Sequence, residues 1–101
     1  MEKLRPTYDL QAIKVALGSI DTLSMTVTAF RKAVELGFDR AGIVDVIASM
    51  ERHMFFKSMT TFSNHRVWQD VYHIPSGNLI LYVKFQSDVV TEFRVMSFKE
   101  K

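Results

Sequence analysis

Near residue 51 the periodicity of the chain changes, and this constrains the fold more than any other feature of the sequence. Before that point apolar residues recur at helical spacing; after it they alternate with polar ones, as half-buried strands require. Nine of the twelve aromatic residues (Phe55, Phe56, Phe62, Trp68, Tyr72, Tyr82, Phe85, Phe93 and Phe98) fall in the second half. Helices grouped ahead of strands predict an α+β fold: short N-terminal helices packed on one face of an antiparallel β-sheet, with the other face free. At 101 residues the chain is long enough for one packed core, so residues 1–101 are read as a single domain.

In the first half, Thr7 is a candidate N-cap for a helix from about Tyr8 to Leu17, with Leu10, Ile13 and Leu17 on one stripe and Gly18 past its end. The β-prone run Leu23-Ser24-Met25-Thr26-Val27 predicts a short strand. Thr28 then caps a helix to Leu36 that stops at Gly37. Asp39 caps a third helix, whose buried face is Ile43, Val44, Val46 and Ile47.

Four strands are predicted after Glu51: Met54 to Thr60, Arg66 to Tyr72, Leu79 to Ser87, and Val89 to Phe98. Ser63-Asn64-His65, Pro75-Ser76-Gly77-Asn78 and Ser87-Asp88 are the turns between them, short enough to make neighbours antiparallel. Alternation puts Leu79, Leu81, Val83 and Phe85 on one face, and Ile80, Tyr82, Lys84 and Gln86 on the other, pointing away from the helices. The same rule sets Lys99 with Val89, Phe93 and Val95 on the core face, unless a bulge or the chain end re-aims it.

The chain has no cysteine, which excludes disulfides, thiolate metal sites and a Cys nucleophile, and fits a reducing compartment. The opening Met1-Glu2-Lys3-Leu4-Arg5-Pro6 lacks the apolar run of a secretory signal, and no uncharged stretch approaches the roughly 20 residues of a spanning helix. A cytoplasmic protein without membrane contact is the expectation. The net charge of +2 names no partner by itself, although the excess lies in residues 51–101. Walker, dinucleotide-binding, HExxH and nucleophile-elbow motifs are absent. His53, His65 and His73 have neither Cys partners nor helical i, i+4 spacing, so no metal site is read from them.

What remains is a set of polar residues among apolar strand residues: Lys57, Gln69, Tyr82 and Lys99. Lysine offers a compact positive charge, tyrosine a proton and a stacking surface, and glutamine an amide donor, a set suited to a phosphodiester. Each also has an ordinary structural use: lysines blunt sheet edges, Tyr82 can straddle the core boundary, and Trp68, Phe55 and Phe56 can serve as core. Composition and spacing stop at a mildly basic, aromatic-rich sheet.

The run Phe56-Lys57-Ser58-Met59-Thr60-Thr61, then Ser63, His65 and Trp68-Gln69-Asp70-Val71-Tyr72, resembles the motility quorum-sensing regulator (MqsR) toxin family, as does the ending Val95-Met96-Ser97-Phe98-Lys99-Glu100-Lys101. Met1-Glu2-Lys3 and Glu35-Leu36-Gly37 are also similar, so the resemblance spans the chain, weakly over 18–34 and 73–80. It implies the RelE-like microbial ribonuclease fold and the toxin half of a type II toxin–antitoxin pair. The implied activity is a ribosome-independent, metal-independent endoribonuclease on single-stranded mRNA, with GCU-type sites preferred and no cofactor. Family functional positions fall on Lys57, Gln69, Tyr82 and Lys99 as catalytic residues, with His65, Trp68 and Lys84 as candidate RNA contacts. The implied partner is a zinc-binding, helix-turn-helix antitoxin through which DNA is reached indirectly; a catalytically weakened RNA- or antitoxin-binding module of the same fold is the alternative.

Overall fold

The computed structural model describes residues 1–89 and 92–101, with Asp88 and Val89 as backbone alone. Its elements run β1 (Glu2–Lys3), α1 (Leu10–Ala16), α2 (Val27–Glu35), α3 (Arg40–Ala48), one 3-10 turn (Arg52–Met54), β2 (Phe55–Thr60), β3 (Trp68–Ser76), β4 (Leu79–Val89) and β5 (Glu92–Glu100). The five strands form one sheet in sequence order, and every described pairing is antiparallel. This is the predicted α+β arrangement, three helices against one face of the sheet. The two-residue strand β1 was not predicted; it pairs Glu2 with Met59 and Lys3 with Ser58.

Helix starts follow the side chain that reaches the free N–H groups. Asp9, not Thr7, caps α1 by accepting from the Ala12 N–H at 3.2 Å. Thr7 is committed elsewhere: its N–H donates to both Asp70 carboxylate oxygens, at 3.1 and 3.0 Å, and its hydroxyl lies 2.7 Å from that of Ser58. Thr26, not Thr28, caps α2, because residues 24–26 are held extended against β5. The Thr26 N–H donates to the Val95 carbonyl and the Val95 N–H to that of Ser24, so the predicted strand at Leu23–Val27 reduces to one parallel bridge, Met25 with Val95. Asp39 caps α3 as predicted. Helix α2 ends in a Schellman motif, with Phe38 N–H on the Ala33 carbonyl and Gly37 N–H on that of Val34; Gly37 takes φ +93°, which a side chain would strain.

The core lies between the helices and the sheet. Ile13, Leu17, Ala33, Ile43, Ile47 and Met50 meet Tyr72, Ile74, Leu81, Val83, Phe85, Val95 and Phe98. Burying each large side chain contributes roughly 1.5–3 kcal/mol before the entropy of ordering it is subtracted. Tyr72 is 0% exposed and its hydroxyl has no hydrogen-bond partner among the described residues. Burial, then the nearby Asp70 charge, pushes that hydroxyl from 10.0 up to about 12. The folded state thus holds a proton that the unfolded chain releases, and stability present below pH 10 is lost as pH rises towards 12. Tyr72→Phe is expected to remove that alkaline loss and, by deleting an unpaired buried hydroxyl, to gain about 1 kcal/mol at neutral pH. Urea unfolding of both proteins at neutral and at alkaline pH checks this, and a variant clearly weaker at neutral pH contradicts it.

Strands β3, β4 and β5 run past their predicted ends, whereas β2 stops at Thr60 as predicted and β3 starts at Trp68, two residues after the predicted Arg66. Pro75 and Ser76 belong to β3, paired with Ile80 and Leu79, so the turn narrows to Gly77-Asn78 with Gly77 at φ +56°. Ser87 and Asp88 lie within β4 instead of turning, and Val89 pairs with Glu92. The predicted strand start at Val89-Val90-Thr91 lies partly outside the described residues, and β5 begins at Glu92.

Two bulges decide which side chains face away from the helices. In β2, two residues step against one of β3, from Phe55 opposite Tyr72 to Lys57 opposite Val71. Phe55 therefore packs on the core while Lys57 takes the open face. In β5, Lys84 pairs with Ser97 and Phe85 with Val95, leaving Met96 as the extra residue. Val95 and Phe98 are then both buried, at 0% and 1% exposure, despite their odd spacing, and Lys99 turns outward opposite Tyr82. The bulge thus re-aims Lys99, the exception under which its alternation would not face the core.

Candidate functional site

On the open face the register aligns side chains in rows across the strands. One row holds Lys57, Val71, Lys84 and Ser97. A second holds Met59, Gln69, Gln86 and Arg94, reached at its edge by Glu2. A third holds His73, Tyr82 and Lys99, with Phe56 stacked on His73 from the β2 bulge. Val71 floors the middle at 0% exposure although it sits on the face away from the helices, because the long side chains around it exclude water.

The Lys57 Nζ donates to Glu2 Oε2 at 2.7 Å. That hydrogen bond and the lysine charge hold the Glu2 carboxyl below its ordinary value. Lys84 is the central cation: burial first, then the charges of Lys99 and Lys57, pull its pKa below that of a free lysine. Three ammonium groups thus share one surface at a mutual cost, which an anion laid over them relieves. The Lys99 Nζ stands 5.1 Å from the centre of the Tyr82 ring, and that of Lys57 5.5 Å from the Phe56 ring. Gln69, only 7% exposed, donates through Nε2 to Gln86 Oε1 at 2.8 Å, which fixes its amide. Burial, then the Lys101 charge, lowers the His73 pKa, favouring the neutral ring.

Five of the seven residues singled out from sequence, Lys57, Gln69, Tyr82, Lys84 and Lys99, come together here. The other two lie elsewhere. His65 is exposed in the loop between β2 and β3, which is braced by Thr61 and Asn64. Trp68 alternates onto the helix side, where its carbonyl accepts the Tyr8 hydroxyl at 2.7 Å and Lys3 covers its ring at 4.1 Å. Sequence reasoning missed Glu2 and His73. A strand carried past Tyr72 in the same alternation as Gln69 and Val71 would have found His73; nothing in a two-residue strand announces Glu2.

Among the described residues no three His, Asp or Glu side chains gather as a metal site, and no helix is long and apolar enough to cross a membrane. Fold and face together define a class: a small α+β protein whose antiparallel meander carries lysines, amides and aromatic rings on the face its helices leave open. The family of the motility quorum-sensing regulator, toxin of MqsA, matches residues 5–100, and the chain belongs to that family. A relative from Escherichia coli (strain K12), the mRNA interferase toxin MqsR, is 39% identical over 105 aligned positions, covering 100% of both chains.

Proposed function

We propose that this chain is the toxin of a type II toxin–antitoxin pair and acts as an endoribonuclease, an mRNA interferase cutting single-stranded mRNA without a metal, a cofactor or the ribosome. The observation that carries the reading is the gathering of Lys57, Lys84, Lys99, Tyr82 and Gln69 on one open sheet face, in a chain 39% identical end to end to a protein named for that activity. The residues 1–101 act as one domain, in the cytoplasm where the substrate is.

The chemistry these side chains suit is transesterification. The RNA 2′-hydroxyl loses its proton to water as it attacks the adjacent phosphorus in line, the P–O5′ bond breaks and the leaving 5′-oxygen takes up a proton, so that a 2′,3′-cyclic phosphate and a 5′-hydroxyl remain with no net change in protons. Lys57 and Lys99 stabilise the extra negative charge of the pentavalent phosphate, where fixed cations act most strongly. Tyr82 orients or protonates the leaving 5′-oxygen, Gln69 positions a non-bridging oxygen, and Lys84 holds the backbone. GCU-type sites are the preferred sequence, and His65 and Trp68 would contact RNA outside the central face. A zinc-binding, helix-turn-helix antitoxin neutralises the toxin and, in complex with it, represses their operon on DNA.

The test is incubation of purified protein with single-stranded RNA containing GCU, in EDTA, beside Tyr82→Phe. Cleavage to cyclic-phosphate ends, at least tenfold slower in the variant (about 1.4 kcal/mol of transition-state stabilisation), is expected. A wild type that binds the RNA but never cuts it overturns the nuclease reading in favour of a binding module.

A further inference from the structure

Phe56 is not needed by the core. It is the extra residue of the β2 bulge, Phe55 beside it already fills the core, and 46% of Phe56 remains exposed. Its ring lies nearly parallel to that of His73, with centroids 4.2 Å apart and planes at 23°. His73 in turn stands 6.0 Å from Tyr82 at 41°, and Tyr82 lies under Lys99. Flat rings therefore run across β2, β3 and β4 in a row, ending at a cation on β5. This row is one step along the strands from the row of Lys57 and Lys84, about 6.6 Å at two residues per step.

A surface that pairs a line of cations with a parallel line of rings matches a polymer that pairs a line of phosphates with a line of bases. A double helix hides its base faces, whereas an unpaired strand presents them. We propose that Phe56 and His73 form a stacking platform for an unpaired nucleobase, seated beside the phosphate held by the lysines, so that the RNA strand runs across the β-strands. The inference rests on the reading of the open face as an RNA site and adds where the base next to the reacting phosphate is held. A flat base placed against Phe56 extends the existing stack and removes a bare phenyl surface from water. Phe56 and His73 are thus positioning residues that take no part in bond making or breaking.

The probe is a single-stranded oligonucleotide with 2′-O-methyl sugars throughout, which lacks the attacking hydroxyl and cannot be cut, carrying 2-aminopurine at successive positions around a GCU. Stacking quenches 2-aminopurine, so wild-type protein is expected to quench at one position and to leave the matching duplex unquenched. Phe56→Ala should lose the quench and bind about tenfold more weakly, or about 1.4 kcal/mol. Phe56→Tyr should retain both, and His73→Ala should weaken both. On cleavable RNA, Phe56→Ala should raise KM more than it lowers kcat. If Phe56→Ala binds and quenches like wild type while wild type cuts RNA, the platform is overturned and the nuclease reading stands. If the quench depends on Phe56 but wild type never cuts, the platform stands and the nuclease reading falls.

Discussion

Lys57→Ala combined with Lys99→Ala is expected to slow RNA cleavage at least a thousandfold, about 4 kcal/mol of lost transition-state stabilisation. Removing one preorganised group that meets developing charge commonly costs a hundredfold or more, and these two reach the face from opposite sides, β2 and β5. Because both act on one phosphate, the double variant should lose less than the sum of the two single losses. Its fold should survive. Lys57 and Lys99 lie at the surface, and both charges burden Lys84, whose ammonium form is already disfavoured in the folded state by burial. That penalty is full at pH values below the lowered pKa of Lys84 and lifts as pH rises through it; its relief on removing two like charges works against the loss of the exposed Lys57–Glu2 pair, so the variant should stay close to wild type in stability at neutral pH. Single-turnover cleavage beside a thermal melt reads both quantities. A stable double variant that cuts at the wild-type rate removes both lysines from the site.

Asp70→Ala should cost about 3 kcal/mol of folding stability, or a drop in melting temperature of roughly 12–24 °C for a chain of this size. Asp70 is 0% exposed, and its carboxylate accepts the Thr7 N–H at 3.1 and 3.0 Å and the Tyr8 N–H at 2.9 Å. Those bonds fasten the segment between β1 and α1 onto β3. Alanine leaves two backbone donors without their charged acceptor and opens a gap where a carboxylate stood. Asp70→Asn keeps the shape and one acceptor oxygen, so it should lose less. The loss should reach the open face as well: the chain leading out of β1 keeps its Thr7–Ser58 and Tyr8–Trp68 bonds but is held less firmly, which loosens Glu2 where it meets Lys57. A melting temperature within about 5 °C of wild type for Asp70→Ala would refute the anchoring role.

Which of these features could be read from the sequence follows from how local each one is. The order of helices and strands, the Asp39 cap, the Gly37 stop and the alternation of β4 were legible, because each depends on residues within a few positions of one another. The caps of α1 and α2 differ from those expected because Thr7 and Thr28 also carry side chains able to cap. What decides between candidates is a distant partner, the Asp70 carboxylate in one case and the Val95 backbone in the other. His73 was lost at the truncated end of its strand, and β1 was too short to signal itself.

By itself the sequence determined an α+β chain with an apolar strand face for the helices and a set of lysines, amides and rings left over, and its resemblance pointed to the right family. It could not determine that Lys57 and Lys99 share the open face with Tyr82. Strict alternation sends Lys99 into the core, and a one-residue shift exchanges the two faces of a strand. The bulges at Phe56 and Met96 supply that shift in β2 and β5, and a bulge is settled by cross-strand pairing, where burying Phe55, Val95 and Phe98 against the helices outweighs an unbroken ladder. The core chose the register, and the register turned the lysines outward.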